Sequence, residues 1–410
     1  MEVEANIKKS NEGKTSFMKI LFNGLNSILG VGILSMPYAL SSGGWLSLIL
    51  LIIIIIASTY AGILTKRCMD LNPKIKTYGQ IGEFSYGKFG KTIVSIILYV
   101  DLYLVLIGYL ILEGDNLHNL FPRVKLHNFL GINFDGNETF VMIIAIVLLP
   151  TIWLDDLSIL AYFSATGVIA CVAILVTVIW VGVFDGVGFR NEGELVNWKG
   201  VPTAVSLFMF CYSANPVFPT LYTSMHKKEH FSKVLLIGFS FATIMNASMA
   251  ILGYLMFGSN LQSQITLNLP TQNLASKIAI YVAWMSPLSK FALIMKPVAQ
   301  TTESWFPPKY RDNRAFKMVL RTILVATQVI IAITIPFFGS LMSLVGALLS
   351  ATASITVPCL CYLKISKINR KSSEGVFIMV LVLLSLVVVV IGTYTSLRSI
   401  VEDKVHSIKT

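Results

Sequence analysis

Two apolar stretches of this chain contain clusters of residues that interrupt helices. The first, NSILGVGILSMPYAL, carries Gly30, Gly32 and Pro37, and the second, CYSANPVFP, carries Pro216 and Pro219. In a helix interior, glycine costs about 1 kcal/mol and proline about 3 kcal/mol relative to alanine. An interrupted helix presents free N–H groups where its second half begins and free carbonyls where its first half ends. These groups suit a carboxylate and an ammonium, which are the two charges of an α-amino acid.

Two charged residues lie deep within other apolar stretches. Asp101 stands in SIILYVDLYLVLIGYL, and Lys290 stands in SPLSKFALIMKP. A charge at such a position is a functional candidate, because charged groups are costly inside a membrane. Two interpretations stay open: a static ion pair that orders the helices, or a proton-binding carboxylate with the lysine in place of a sodium ion. We interpret Glu113 and Asp115 as the solvated end of the helix that carries Asp101, and a place in the lining of an outer vestibule is the alternative.

The composition predicts an integral membrane protein. Of the 410 residues, 55% are hydrophobic and only 13% are charged, whereas soluble domains carry about 25% charged residues. A membrane-spanning helix needs about 20 predominantly apolar residues, and eleven segments meet this requirement. The predicted spans are residues 17–40, 45–65, 92–112, 139–155, 160–184, 202–222, 234–257, 273–297, 318–336, 339–363 and 376–397.

The distribution of basic residues predicts the orientation. With the N-terminus in the cytosol, 22 of the 32 Lys and Arg residues fall in cytosolic segments, as expected for membrane proteins. This pattern accounts for the net charge of +11 without a nucleic-acid partner. We expect a cytosolic tail over residues 1–16, a transmembrane domain over 17–397 and a lumenal tail over 398–410. No removable signal peptide is predicted at the N-terminus.

The two interruptions occupy matching places in two halves of the chain. The first lies in predicted span 1 and the second in predicted span 6. Interrupted helices at corresponding positions are typical of transporters built from inverted repeats. The sequence therefore predicts an all-α membrane protein with a 5+5 inverted repeat, over residues 17–184 and 202–363, and an eleventh helix over 376–397. Spans 3, 6, 8 and 10 are expected to surround the substrate side chain.

Other chemistry is not indicated. The chain lacks a Walker loop, a nucleophile elbow and a zincin motif, so we expect no enzyme, no cofactor and no metal. Its five cysteines show no metal-ligand spacing and no disulfide framework. Asn137, Glu138 and Thr139 form an N-glycosylation acceptor pattern on the predicted non-cytosolic side, and Asn137 is a glycosylation candidate.

Several segments resemble one protein family. They are LFNGLNSILGVGILSMPYALSSGGW, SIILYVDLY, LEGDNLHNLFP, FCYSANPVFPTLY, QSQITLNLP, PFFGSLMSLVGALLSATASITVPCLCYL and GTYTSL. In this order they are similar to the vacuolar amino-acid transporter group of the amino acid/auxin permease family, which is related to the vesicular inhibitory amino-acid transporter. The resemblance extends from Phe17 to Leu397.

The resemblance implies a LeuT-type fold of the APC superfamily and proton-coupled transport of neutral amino acids. We expect amino acid/proton antiport across the vacuolar membrane, by a monomer whose partners are the lipid bilayer, an amino acid and protons. Asp101 stands where relatives tend to carry Glu, and Lys290 matches a lysine of the group; both are implied in proton coupling. The residues implied in substrate binding are Asn26, Ser27, Gly30, Val31, Gly32, Phe210, Cys211, Tyr212, Ser213 and Ala214.

Three alternatives remain open at this point. The same fold run as a symporter would export amino acids from the vacuole or import them at the plasma membrane. A nutrient-sensing receptor would bind amino acids without much flux. A channel fits less well, because the chain has paired interrupted helices and no ring of pore-lining charges.

Overall fold

The computed structural model describes residues 15–124, 126–129, 132–153, 163–311, 313–369 and 371–409. Within these ranges the regular secondary structure is helical apart from one short hairpin and an isolated bridge between Thr15 and Met225. The helices are α1 (Phe17–Ile28), α2 (Gly32–Gly43), α3 (Ser47–Leu71), α4 (Tyr78–Leu120), α5 (Gly136–Trp153), α6 (Phe163–Phe184), α7 (Val201–Cys211), α8 (Phe218–Ser224), α9 (Phe231–Phe257), α10 (Leu274–Glu303), α11 (Pro308–Arg311), α12 (Arg314–Thr334), α13 (Phe338–Leu344), α14 (Val357–Ser366) and α15 (Ser373–Lys409).

Most of these helices are suited to a membrane. Among the described residues, nine helical segments are long and apolar enough to cross a bilayer, and the pair α1–α2, bent by 47°, makes a tenth. The remaining predicted span corresponds to α10, a helix of 30 residues that includes the apolar stretch Leu274–Trp284. The prediction of an all-α membrane protein is confirmed.

The hairpin joins α4 to α5. It consists of β1 (Leu126–Phe129) and β2 (Ile132–Phe134), which pair antiparallel with Leu126 opposite Phe134. It follows the end of α4, on the side of the bundle opposite the start of α1, because α1–α2, α3 and α4 each cross the bundle once. We call this opposite side the outer side.

α4 is longer than the third predicted span. It begins with a capping box formed by Thr77 and Gln80, bends at Tyr86 and Gly87, and continues to Leu120. Gly87 has a φ of +67°, a conformation that a residue with a Cβ rarely adopts. Because α4 does not end at residue 112, Glu113 lies inside the helix and is buried. The interpretation of Glu113 as a solvated helix end is wrong.

The last two spans also differ from the sequence prediction, one in its helix type and the other in its length. Two π-helical segments, Val345–Ser350 and Thr352–Thr356, join α13 to α14; π-helical turns are frequent at functional sites. α15 continues beyond residue 397 to Lys409. Its extension is attached to the bundle, since Asp403 accepts a hydrogen bond of 2.7 Å from Ser340 and Lys404 donates one of 3.0 Å to the carbonyl of Thr334.

Small residues bring the two interrupted helices together. A Cβ on Gly43 of α2 would come within 2.9 Å of the Cβ of Ala204 in α7. A Cβ on Gly32, at the other end of α2, would come within 2.6 Å of the Cys211 sulfur. α2 and α7 therefore pack with their backbones close together along their whole length, as small residues allow in membrane helices.

Candidate functional site

A cavity of about 250 Å³ lies between the two helix interruptions. Its wall comes from the α1–α2 and α7–α8 breaks, from α4 and α10, and from the first π-helical segment. Ten of the twelve predicted binding and coupling residues line it: Asn26, Ser27, Gly30, Val31, Gly32, Asp101, Phe210, Cys211, Ser213 and Lys290. The rest of the wall is mainly apolar, with Leu102, Val105, Val217, Leu293 and Ile294.

Two predicted residues do not line this cavity. Tyr212 is fully buried, and its ring stacks on Phe239 of α9 with the ring centres 6.2 Å apart. Ala214 is also buried and precedes the short 3₁₀ turn Asn215–Val217. Both residues belong to the second break but are buried in the surrounding protein, and neither contributes to the surface of the cavity.

The first break leaves backbone N–H groups without helical partners. α1 ends where Leu29 donates to the carbonyl of Leu25 at 2.7 Å, and Gly30 then donates to Ile28 at 3.1 Å. The N–H groups of Val31, Gly32 and Ile33 donate to no backbone carbonyl in the part of the chain that the structure describes. They form the N-terminal end of α2, where the helix dipole favours a negative charge.

The second break is held by one buried amide side chain. After α7, Tyr212 and Ser213 still donate to the carbonyls of Phe208 and Phe210, at 3.2 and 3.3 Å. The Nδ2 of Asn215 then donates to the carbonyl of Ser58 in α3 at 3.2 Å. It also donates to a carbonyl of the second π-helical segment. This side chain fixes the unwound segment against two neighbouring helices.

Lys290 contacts the end of α1. It is 7% exposed, and its Nζ donates to the carbonyl oxygens of Leu29 at 3.3 Å and Asn26 at 3.5 Å. Gly167 of α6 makes room for this contact, because a Cβ there would lie 2.1 Å from the Asn26 Oδ1 and 3.3 Å from the Lys290 Cε. The ammonium thus lies at the negative end of the α1 dipole, where a cation is favoured.

Asp101 lies on another wall of the same cavity. It is 8% exposed, and its Oδ1 is buried without a hydrogen-bond partner among the described residues. No ion pair between Asp101 and Lys290 occurs within the described ranges, because Lys290 is directed to the carbonyls of α1. The static ion pair considered from the sequence is therefore not formed.

Sequence reasoning missed several residues near the site. Ser350 lines the cavity from the π-helical segment, and Tyr109 lines it from α4. Helical periodicity cannot place Ser350, since a π-helical turn changes which residues face inward. Gly167 carries no sequence signal either, because its importance depends on side chains from two other helices.

A second cavity of about 420 Å³ opens at the outer end of α4. We call it the outer vestibule, and its lining includes Tyr38, Asp115, His118, Asn137 and Asp403. The Nδ2 of Asn137, which a glycan would need, donates to Asp115 at 2.7 Å from the first turn of α5. This geometry opposes the predicted glycosylation, which requires an accessible acceptor nitrogen.

The two glycines of the first break, Gly30 and Gly32, differ in the space around them. A methyl group on Gly32 would overlap Cys211, whereas one on Gly30 would meet nothing closer than 4.0 Å. We expect Gly32→Ala to separate the two breaks and to destabilise the protein by about 1–3 kcal/mol, as overpacking does. Gly30→Ala should fold normally and reduce the space for a ligand. Thermal unfolding in detergent and ligand-induced stabilisation measure the two effects.

Two controls make this comparison informative. Cys211→Ala removes the sulfur atom and should partly restore the stability of Gly32→Ala. Gly238→Ala should be neutral, because the nearest atom to its Cβ is 3.6 Å away. Equal stability of the Gly32→Ala and Gly30→Ala proteins would contradict the packing argument.

The fold and the site together define the class of protein. Two interrupted helices that face one cavity inside a membrane bundle are the hallmark of LeuT-type secondary transporters. In agreement, the chain is similar to the crystal structure of MhsT in complex with L-phenylalanine, with a TM-score of 0.57 and 14% sequence identity. That similarity covers 94% of this chain and 99% of MhsT. The predicted LeuT-type fold is confirmed.

The chain belongs to the transmembrane amino acid transporter protein family, also called the amino acid/auxin permease family, whose model matches residues 13–398. It is 48% identical to amino acid transporter AVT1I of Arabidopsis thaliana, over 96% of this chain and 98% of that protein. It is 50% identical to AVT1J of the same plant, over 95% and 92%. The vesicular GABA transporter of Caenorhabditis elegans is 27% identical, over 93% and 79%. The family resemblance seen in the sequence is confirmed.

Proposed function

We propose that this protein is a secondary active transporter that exchanges neutral amino acids for protons across the vacuolar membrane. Membership of an amino acid transporter family and the LeuT-type fold support amino acid transport. The observation that carries the finer proposal is that both helix breaks, Asp101 and Lys290 meet at one cavity.

The first break is suited to the substrate carboxylate. The free N–H groups of Val31, Gly32 and Ile33 combine hydrogen-bond donors with the positive end of the α2 dipole. Gly30 leaves the backbone accessible, because no Cβ covers it. The α-amine then faces carbonyl groups at the end of α7, where Phe210 and Cys211 line the cavity.

The remaining wall suits an uncharged side chain. Leu102, Val105, Val217, Leu293 and Ile294 are apolar, and Asp101 and Lys290 are the charged residues among those that line the cavity in the described ranges. With Lys290 directed to α1, no basic group among the described residues of this cavity faces an acidic substrate side chain. Neutral amino acids therefore fit this cavity best.

Lys290 takes the place of a coupling metal ion. Carbonyl oxygens at the end of an interrupted helix bind sodium ions or protons in many transporters of this architecture. Here the carbonyls of Asn26 and Leu29 already accept hydrogen bonds from a fixed ammonium group. Transport would then need no sodium, and the coupling ion would be a proton carried by Asp101.

The choice of the vacuolar membrane rests on the resemblance to the vacuolar transporter group and on the similarity to the AVT1 proteins. An acidic compartment supplies the proton gradient that exchange requires. Alternating access would follow from rocking of the bundle of α1–α3 and α7–α9 against α4, α5, α10 and α12.

Uptake into vesicles tests this proposal. Full-length protein reconstituted into liposomes with an acidic interior should accumulate labelled leucine, glutamine or tyrosine, and a protonophore should abolish the accumulation. Competition by a panel of amino acids at acidic interior pH identifies the preferred substrate. Accumulation only with the opposite pH gradient would indicate symport, and no transport with either gradient would exclude a transporter function.

A further inference from the structure

Glu113 is a buried carboxyl group that the proposed mechanism does not yet use. It is 1% exposed, and neither of its carboxylate oxygens has a hydrogen-bond partner among the described residues. Burying an ionised carboxylate alone is far more costly than burying its protonated form. Acidic residues at such depth mark ion or proton pathways by default.

Glu113 lies on α4 between residues that line the two cavities. Tyr109, one helical turn before it, lines the central cavity, and Asp115, two residues after it, lines the outer vestibule. The phenol of Tyr109 and the carboxyl of Glu113 are close enough to interact electrostatically. Asp101 lies twelve residues before Glu113 on the same helix, which corresponds to about 18 Å.

The surroundings of Glu113 do not offer a static structural role. Glu113 is absent from the ion pairs of the described residues. Tyr109 on α4 interacts electrostatically with both Glu113 and Cys171 of α6, and Cys171 contacts the end of α1. Asp115 is already occupied by hydrogen bonds from Asn137 and from Gln264, at 2.7 and 3.2 Å.

We propose that Glu113 is a proton-binding residue on a route between the outer vestibule and Asp101. A proton from the vestibule forms an O–H bond with the Glu113 carboxylate, which becomes neutral. That O–H bond breaks when the Tyr109 hydroxyl accepts the proton and releases its own proton into the central cavity, where an O–H bond forms on the Asp101 carboxylate that lines the same cavity. The reverse sequence returns the proton. This inference rests on the proposed proton-coupled function and adds a second proton site to it.

The test separates proton movement from amino acid movement. Full-length protein in liposomes is assayed for accumulation driven by a pH gradient and for exchange of labelled against unlabelled amino acid at equal pH on both sides. The probe is whichever of leucine, glutamine or tyrosine the wild-type protein accumulates. Glu113→Gln should lose most of the driven accumulation and keep wild-type exchange with an unchanged pH profile.

Two variants serve as controls. Glu113→Asp keeps an ionisable group and should retain driven accumulation. Glu192→Gln removes an exposed carboxylate from the loop between α6 and α7 and should behave as wild type. Wild-type accumulation by Glu113→Gln would overturn the proposal, and so would equal loss of accumulation and exchange in both Glu113 variants, which would indicate a structural role. Absence of accumulation by the wild-type protein would instead exclude the proposed function.

Discussion

Lys290→Met is expected to lower amino acid uptake about 10- to 100-fold. Methionine keeps the length and apolar bulk of the side chain but removes the two hydrogen bonds to the carbonyls of Asn26 and Leu29. A hydrogen bond that involves a charged group is worth about 1.5–3 kcal/mol, and each 1.4 kcal/mol corresponds to about tenfold in an equilibrium constant. Initial uptake rates in liposomes, normalised to the amount of protein, measure this effect.

The control for Lys290 lies on the same helix. Lys277→Met removes an exposed lysine of α10 and should leave uptake unchanged. Sodium provides a further measurement, because the wild-type protein should transport equally well in sodium and in potassium media. Partial rescue of Lys290→Met by sodium would support the view that the ammonium occupies a cation position. A sodium requirement of the wild-type protein would contradict it.

The main features of the site could be predicted because they break strong local rules. Gly30, Gly32, Pro216 and Pro219 interrupt apolar segments that would otherwise form straight helices. Asp101 stands out just as clearly in its apolar segment. Such departures from hydropathy and helix propensity are visible in one sequence, and ten of the twelve residues predicted from them and from the family resemblance line one cavity.

The remaining features depend on three-dimensional packing. The sequence allowed Lys290 to pair with Asp101, but Gly167 of α6 opens the space through which the lysine reaches the end of α1. Glu113 was misplaced because the sequence does not show where a membrane helix ends when polar residues are buried beyond its apolar segment. Neither the direction of the Lys290 side chain nor the burial of Glu113 can be predicted from the periodicity of a single helix.

The direct contact between Gly32 and Cys211 couples the positions of the two breaks. Because Gly32 of α2 lies directly against Cys211 of α7, a ligand that draws the α1–α2 break inward must also move the α7–α8 break. Asn215 extends this relation to α3 and to the π-helical segment. Binding at one break is therefore expected to alter the position of several spanning helices, as alternating access requires.

Asp101→Asn is expected to abolish coupling to the proton gradient while the protein remains folded. Asparagine has nearly the same shape as aspartate, so the shape of the cavity that Asp101 lines with Leu102 and Val105 is preserved, but its amide cannot bind and release a proton. Accumulation of amino acid against a gradient should fall to the level of passive equilibration. Exchange at equal pH should continue, and its dependence on pH should disappear.

The comparison of Asp101 with Glu113 identifies which carboxyl group defines the coupling step. Both Asp101→Asn and Glu113→Gln should lose driven accumulation, but only Asp101→Asn should lose the pH dependence of exchange, since Asp101 lies in the wall of the cavity itself. Asp101→Glu, which restores a carboxyl group, should recover coupling. If Asp101→Asn keeps pH-driven accumulation, the coupling proton is carried elsewhere, and Glu113 becomes the residue through which amino acid and proton movement are linked.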